Sequence, residues 1–348
     1  MTEHKFAYKW NLSDGYPAPG IEKHGLKVFG TFICGGGSTM GYKLAGFEHL
    51  GGVEIDPQVA DVYKANHNPK YLYVEDIRDF ADRSEYPAEL YNLDILDGSP
   101  PCSSFSMAGN REKDWGKEKV FREGQAKQRL DDLFFDYIKL AKKLQPKVVI
   151  AENVKGLIQG NAKSYVHRIK KEFEAAGYVV QLFLLNAASM GVPQKRERVF
   201  FICQRKDLKL PKLVLNFQED SILFRDVFDD TDCKKSITDT MLNIWNQRVK
   251  SDRHLGYTTM RLNGKSSFFT CHYQNMDEVS KTITAGDNNI LFDFPRHINN
   301  VEAKLIGSYP LDYNFKKIEP KYLIGMSVPP VMTAQIATEI YNQWFKKL

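Results

Sequence analysis

The sequence predicts an α/β protein whose mostly parallel sheet carries helices on both faces. Three observations predict it. Apolar, β-branched runs alternate with segments of helical period between residues 26 and 205. A glycine run, Gly35-Gly36-Gly37, breaks the chain directly after the first such strand. At 43% hydrophobic and 26% charged residues, a chain of 348 residues can bury a sizeable core.

The elements follow in order. Residues 1–25, polar and rich in glycine and proline, read as an N-terminal arm. Leu26–Ile33 is the first strand, Met40–Gly46 a helix and His49–Ile55 the second strand. Leu93–Leu96 is a short strand ending in Asp97-Gly98-Ser99-Pro100-Pro101. Leu130–Leu144 has helical spacing, Lys147–Ala151 is a buried strand, and Tyr165–Ala176 is helical again. Strands follow at Tyr178–Leu185 and Arg198–Cys203. Beyond Arg205 the rhythm is lost, returning as helix at Asn300–Gly307 and Pro330–Phe345. The expected organisation is a large domain over 26–205, a smaller irregular one over 206–295, and a C-terminal return, 296–348, packing on the first.

Composition narrows the function classes. Forty-eight basic against 43 acidic residues give +5, compatible with a nucleic-acid partner without requiring one. No apolar run approaches the ~18 residues of a membrane span. The N-terminus lacks a secretory pattern, so a cytoplasmic location is expected. The five cysteines are odd in number and widely spaced, without a CxxC pair, so neither a metal site nor a disulfide framework is expected.

Four constellations carry chemistry. The first is Thr31 to Gly41 with Glu54-Ile55-Asp56. A glycine turn after a strand admits a nucleoside, and Glu54, 19 residues beyond Gly35, can accept from ribose hydroxyls. Asp76-Ile77 can close that pocket against an adenine amino group. The second is Asp97 to Ser106, where two prolines hold Cys102 just past a strand end, as suits an oriented nucleophile. The third, Glu152-Asn153-Val154, sets a carboxylate at the edge of the sheet where ligands bind. The fourth is Gln194-Lys195-Arg196-Glu197-Arg198.

Together and in this order, these resemble the cytosine carbon-5 DNA methyltransferases. Thr31–Gly37 resembles the family's cofactor motif, Pro100–Ser106 its nucleophile motif, Glu152-Asn153-Val154 its acid motif and Gln194–Arg198 its arginine motif. Arg296–Glu302 resembles RxLTxxE, Lys281–Ala285 a short TI element, and Gly325–Pro330 GNSVPP. Cys34, Ser103, Asn299 and Met326 depart from the usual residues. The expectation at Cys34 is a backbone without positive φ, so that glycine is not required.

The resemblance implies a Rossmann-like S-adenosylmethionine-dependent fold with a target-recognition domain over 206–295. It implies Cys102 as nucleophile, Glu152 and Arg198 on the cytosine ring, and Arg196 in support. Cofactor contacts are expected from Phe32, Ile33, Cys34, Gly35, Gly36, Gly37, Glu54, Ile55, Asp76, Ile77, Pro100, Leu133, Ser327 and Val328. DNA contacts are expected from Ser106, Arg111, Lys195, Thr282 and Thr284. The basic segment Asn110–Arg129, with seven basic and four acidic residues, reads as a loop closing over DNA. The expected partner is double-stranded DNA, for a monomer encoded by a bacterium or phage, with or without a cognate restriction endonuclease acting separately. A tRNA methyltransferase would carry a Cys-Phe-Thr signature that this chain lacks. A nicotinamide-dependent oxidoreductase leaves Cys102, Glu152 and Arg198 unexplained.

Overall fold

The computed structural model describes residues 4–101, 132–159, 163–231, 237–268, 271–286 and 288–348. Cys102, Ser106, Arg111 and the basic segment 110–129 lie outside the described residues. The chain forms two compact units, each assembled from three stretches.

The larger unit comprises Tyr16–Asn186, Glu197–Asn216 and Thr333–Leu348. Its first half alternates β1 (Lys27–Thr31), α1 (Gly37–Leu44), β2 (Glu48–Glu54), α2 (Pro57–His67), β3 (Tyr71–Val74), α3 (Ile77–Asp82) and β4 (Ile95–Gly98). Then come α4 (Leu133–Leu144), β5 (Val148–Val154), α5 (Lys163–Ala175), β6 (Tyr178–Asn186) and β7 (Glu197–Arg205). The strands make one seven-stranded sheet in the order β3-β2-β1-β4-β5-β7-β6. The first five run parallel, and β7 runs antiparallel to both β5 and β6. The link between β6 and β7 contains no α-helix, and a strand returning without a crossover must reverse direction. The core on one face of the sheet joins Phe29, Leu96, Val149 and Phe201 to Phe80, Phe134, Tyr137 and Phe173 of the helices.

Pattern explains the local choices. In α4, Leu133, Phe134, Tyr137, Leu140, Ala141 and Leu144 recur at helical spacing and are all buried. Asp56 caps α2, its carboxylate accepting from the amides of Gln58 and Val59, with Pro57 at the first helical position.

The smaller unit comprises Met1–Gly15, Ala187–Arg196 and Phe217–Met332. It holds α6 (Phe224–Val227), α7 (Asp239–Trp245), α8 (Leu255–Asn263) and the short parallel pair β8 (Tyr273–Gln274) and β9 (Ile290–Leu291). It also holds α9 (Asn300–Ile306) and α10 (Pro320–Met326); α11 (Pro330–Gln343) begins here and lies mostly in the larger unit. A small core gathers Met241, Trp245, Leu255, Cys271, Tyr273 and Ile290.

These units cut the chain differently from the bounds drawn on the sequence, and hydrogen bonds give the reason. Trp10 and Leu12 of the arm bind Ser308 and Asp312 within the smaller unit. Residues 211–216 belong to the larger unit, where Trp344 and Gln343 bind the carbonyls of Pro211 and Val214. The segment 296–348 is divided between the two. Among the described residues, no helix is long and apolar enough to cross a membrane.

Candidate active site

Four strands of the larger unit end in polar residues at the carboxyl edge of the sheet, where open α/β sheets bind ligands. After β1 the chain turns sharply. Phe32, Cys34 and Gly36 all take positive φ, at 54°, 47° and 76°. The Gly36 amide donates to the Ile33 carbonyl (2.9 Å), and Met40 donates to Gly36 (2.9 Å) to start α1. The expectation for Cys34 is therefore corrected. Its backbone is left-handed, the region that favours glycine, because the turn reverses within five residues.

Glu54, at the end of β2, reaches into this turn. One carboxylate oxygen accepts from the Cys34 amide (2.9 Å) and the other from the Asp56 amide (3.0 Å). Burial raises its pKa above the ordinary carboxylate range, against the lowering effect of these hydrogen bonds. Ile55, beside it, is half-buried. Asp76 caps α3, accepting from the Arg78 amide (2.8 Å) and pairing with the Arg78 guanidinium (2.9 Å); Ile77 is buried. Leu133 opens α4 with its side chain in the core.

At the end of β4, Asp97 is buried and accepts from the Tyr42 hydroxyl (2.9 Å). Its pKa is pushed up to about 7, chiefly by burial; hydrogen bonds from Tyr42 and Ser38 oppose the shift, and the Glu152 charge adds to it. Pro100, three residues on, is held by Asn153, whose side-chain amide donates to its carbonyl (3.0 Å). Asn153 thus ties the end of β5 to the segment that leads into Cys102.

Glu152 and Arg198 meet across β5 and β7. Glu152 pairs with Phe200 and Val154 with Arg198 in the antiparallel register, so both charged side chains share one face. The Arg198 Nε lies 2.9 Å from a Glu152 oxygen, both side chains largely buried. Burial lowers the Arg198 pKa, and the Glu152 carboxylate works against that. Next to them Lys155 pairs with Glu197 (2.8 Å).

Arg196, two residues before Arg198, belongs to the smaller unit and is buried there. Its guanidinium donates to the carbonyls of Ile283 (3.0 Å) and Gly325 (2.8 Å). Gln194 accepts from the Ile283 amide (3.2 Å) and donates to Ile306 (3.2 Å). Lys195 is exposed; its amide donates to Ser280 (2.9 Å), and its carbonyl accepts from the Thr282 hydroxyl (2.5 Å). Thr284 is exposed beside them. A side chain on Gly325 would come within 2.2 Å of the Thr284 carbonyl carbon, so three separated motifs interlock within this unit. Ser327 and Val328 are buried, the Ser327 hydroxyl accepting from Tyr309 (2.6 Å) and donating to Leu323 (2.8 Å).

In the larger unit, therefore, the turn at 32–37 and Glu54 come together, as do Glu152 with Arg198 and Asn153 with Pro100. Lys195, Arg196, Thr282 and Thr284 assemble in the smaller one. Sequence reasoning missed Asp97 with Tyr42, and His67 against Gly36. The first was visible only as the start of the Asp97–Cys102 stretch; the second left no signal.

The comparisons with known proteins agree with this architecture. The Type II methyltransferase M.NgoPII of Neisseria gonorrhoeae is 36% identical over 213 residues, covering 59% of this chain; the chain spans 57% of that relative's length. The Type II methyltransferase M1.HphI of Haemophilus parahaemolyticus is 27% identical over 340 residues, 90% of this chain and 86% of its own. A solved structure described as a DNA modification methyltransferase encoded within an E. coli prophage superposes with a TM-score of 0.65. That match has 20% identity and covers 91% of this chain and 99% of the other, so it shows a shared fold. The family model for the C-5 cytosine-specific DNA methylases matches residues 26–342, and the chain belongs to that family.

Proposed function

We propose that this chain is an S-adenosylmethionine-dependent DNA (cytosine-5-)-methyltransferase that works through a covalent Cys102 adduct. The observation that carries the reading is the largely buried Glu152–Arg198 pair at 2.9 Å. A cytosine ring offers an acceptor at O2 and nitrogens at position 3 and on the exocyclic amine. A guanidinium beside a carboxylate complements that edge, and burial strengthens both interactions.

The residues at the glycine turn fit the cofactor. Glu54 is a half-buried acceptor-only group for ribose hydroxyls, beside a turn whose path brings backbone close. Phe32 to Gly37, Glu54, Ile55, Asp76, Ile77, Pro100 and Leu133 would hold it. When bound, S-adenosylmethionine supplies the methyl group.

The chain's own residues do the rest. The Cys102 thiolate adds to carbon 6 of a flipped-out cytosine, which loads electron density onto carbon 5. As nitrogen 3 gains basicity it takes a proton from solvent; Glu152 accepts from that N–H and from the exocyclic amine, balancing the positive charge of the protonated ring, while Arg198 binds O2. Asn153 keeps Pro100, and so the approach to Cys102, in register with Glu152. With carbon 5 methylated, its proton passes to water and the carbon 6–sulfur bond breaks, which restores the Cys102 thiolate and releases the 5-methylcytosine. Lys195, Thr282 and Thr284, with Ser106 and Arg111, contact the DNA.

The test is a duplex with 5-fluorocytosine at the target, first located by bisulfite sequencing of DNA from expressing cells. Fluorine cannot leave as a cation, so the adduct persists. A denaturation-resistant band is expected that needs S-adenosylmethionine and disappears in Cys102→Ser. A Cys102→Ser protein methylating at the wild-type rate would overturn the reading.

A further inference from the structure

The glycine turn rests on a buried histidine that the reaction does not use. His67 ends α2 and is 5% exposed. Its Nε2 lies 3.3 Å from the Gly35 carbonyl oxygen. Its ring fills the space where a side chain on Gly36 would sit: a Cβ there would come 2.2 Å from Nε2 and 2.7 Å from Cδ2. Behind the ring, Tyr63 packs at 4.6 Å between centroids, and the Lys43 ammonium donates to the His67 carbonyl (3.1 Å). Thr39 extends the cluster, its hydroxyl 3.0 Å from that of Tyr63 and 3.3 Å from His49 Nε2. Side chains of α1, α2 and β2 are thus joined directly beneath residues 35 and 36.

The turn needs such a support. Phe32 and Cys34 pay the steric cost of left-handed backbone, and such conformations persist only where the surroundings over-determine them. The ring is neutral: burial, then the Lys43 charge, pushes its pKa to about 3, against the raising effect of the Gly35 carbonyl. A neutral imidazole has one N–H, and the contact with a carbonyl oxygen selects the Nε2–H tautomer.

We infer that His67 is a positioning residue for cofactor binding, holding the Gly35 carbonyl and abutting Gly36 so that the turn keeps its left-handed path. The inference rests on the proposed role of that turn in binding S-adenosylmethionine.

The test compares His67→Gln, whose amide can still donate to Gly35, with His67→Leu, which fills the space without a donor. Calorimetry with S-adenosylmethionine should find His67→Leu about tenfold weaker and His67→Gln within about threefold of wild type. Thermal unfolding should place the two variants within a few degrees of each other, and affinity for duplex DNA without cofactor should not change. Equal affinity in the Leu variant and wild type, or equal loss in both variants, would overturn the inference. Wild-type protein that fails to bind S-adenosylmethionine would overturn the cofactor reading itself. A second cycle covers a Leu variant that fails to fold: Gly36→Ala should weaken cofactor binding less in a His67→Ala background than in wild type. Additive losses would show that ring and glycine do not act together.

Discussion

Cys34 carries a thiol in a backbone region that suits glycine, with φ at 47°. Relief of left-handed strain is worth about 1–2 kcal/mol, and the added freedom of glycine in the unfolded chain takes back about 0.5–1. Cys34→Gly is therefore expected to stabilise the protein by roughly 0.5–1 kcal/mol, read as a higher denaturant midpoint at unchanged slope. A loss of stability would mean that contacts of the thiol outweigh the strain. Asp97 makes a pH-dependent counterpart. Its folded pKa of about 7 lies above the ordinary carboxylate value, so the folded state binds the extra proton between about pH 4 and pH 7. Through this group stability is highest below pH 4 and falls as pH rises to 7. Asp97→Asn keeps an acceptor for Tyr42 and removes the titration. Its stability relative to wild type should grow by up to roughly 4 kcal/mol from pH 4 to pH 8. A difference independent of pH would show that Asp97 ionises alike in both states. Neither feature was legible beforehand, because φ and desolvation arise only when distant strands converge.

At the scale of elements, six of the seven strands of the large sheet, all but β3, and the helices α1, α4 and α5 were legible, since each has its own hydrophobic period. Expected strands at 49–55 and 178–185 fall within a residue of β2 and β6. The helices α2 and α3 were not read; each starts at a capping aspartate, Asp56 and Asp76, and Asp76 reads equally as a site acid. Asp76 shows the ambiguity directly: a cap and an ion pair with Arg78 account for its contacts. Asn299, which departs from the family's usual threonine, is likewise explained by capping. It accepts from the Glu302 amide (2.8 Å), Glu302 accepts from its amide in return (2.7 Å), and Arg296 grips Glu302 at 2.8 and 2.9 Å. Asparagine caps as well as threonine, so the motif keeps its structural work. Asn153 joins two elements and so makes a sharper test. Asn153→Ala leaves the Pro100 carbonyl without its donor, at a cost of about 1–3 kcal/mol. The rate of methyl transfer should fall at least tenfold in single-turnover assays, while calorimetry finds cofactor affinity unchanged within about twofold. An unaltered rate would show that Pro100 needs no tie to β5.

At the scale of the whole molecule, chain order and compactness part company. The sequence loses its βα rhythm at Arg205, which made 206–295 look like a self-contained domain. The smaller unit is instead closed by residues from three distant stretches. Arg196 holds the carbonyls of Ile283 and Gly325, Gln194 holds Ile283 and Ile306, and Trp10 holds Ser308. Long-range closure of this kind leaves no periodic trace in sequence, since each partner is a backbone carbonyl or amide that any residue supplies. A segment cut at 206 and 295 keeps the small core around Trp245 and Tyr273 but loses Gln194, Arg196, Arg296 and Glu302. Ile283 would lose both its hydrogen-bond partners, and a segment of that size has little apolar area to offset the loss. The isolated segment 206–295 is therefore expected to unfold in urea without a cooperative transition, with weak tryptophan shielding at Trp245, whereas the full chain unfolds cooperatively. Adding 187–205 and 296–332 should restore the transition. A sharp transition in the short segment would mean that its six-residue core suffices, and that the interlocked motifs position the unit's surface without holding it folded.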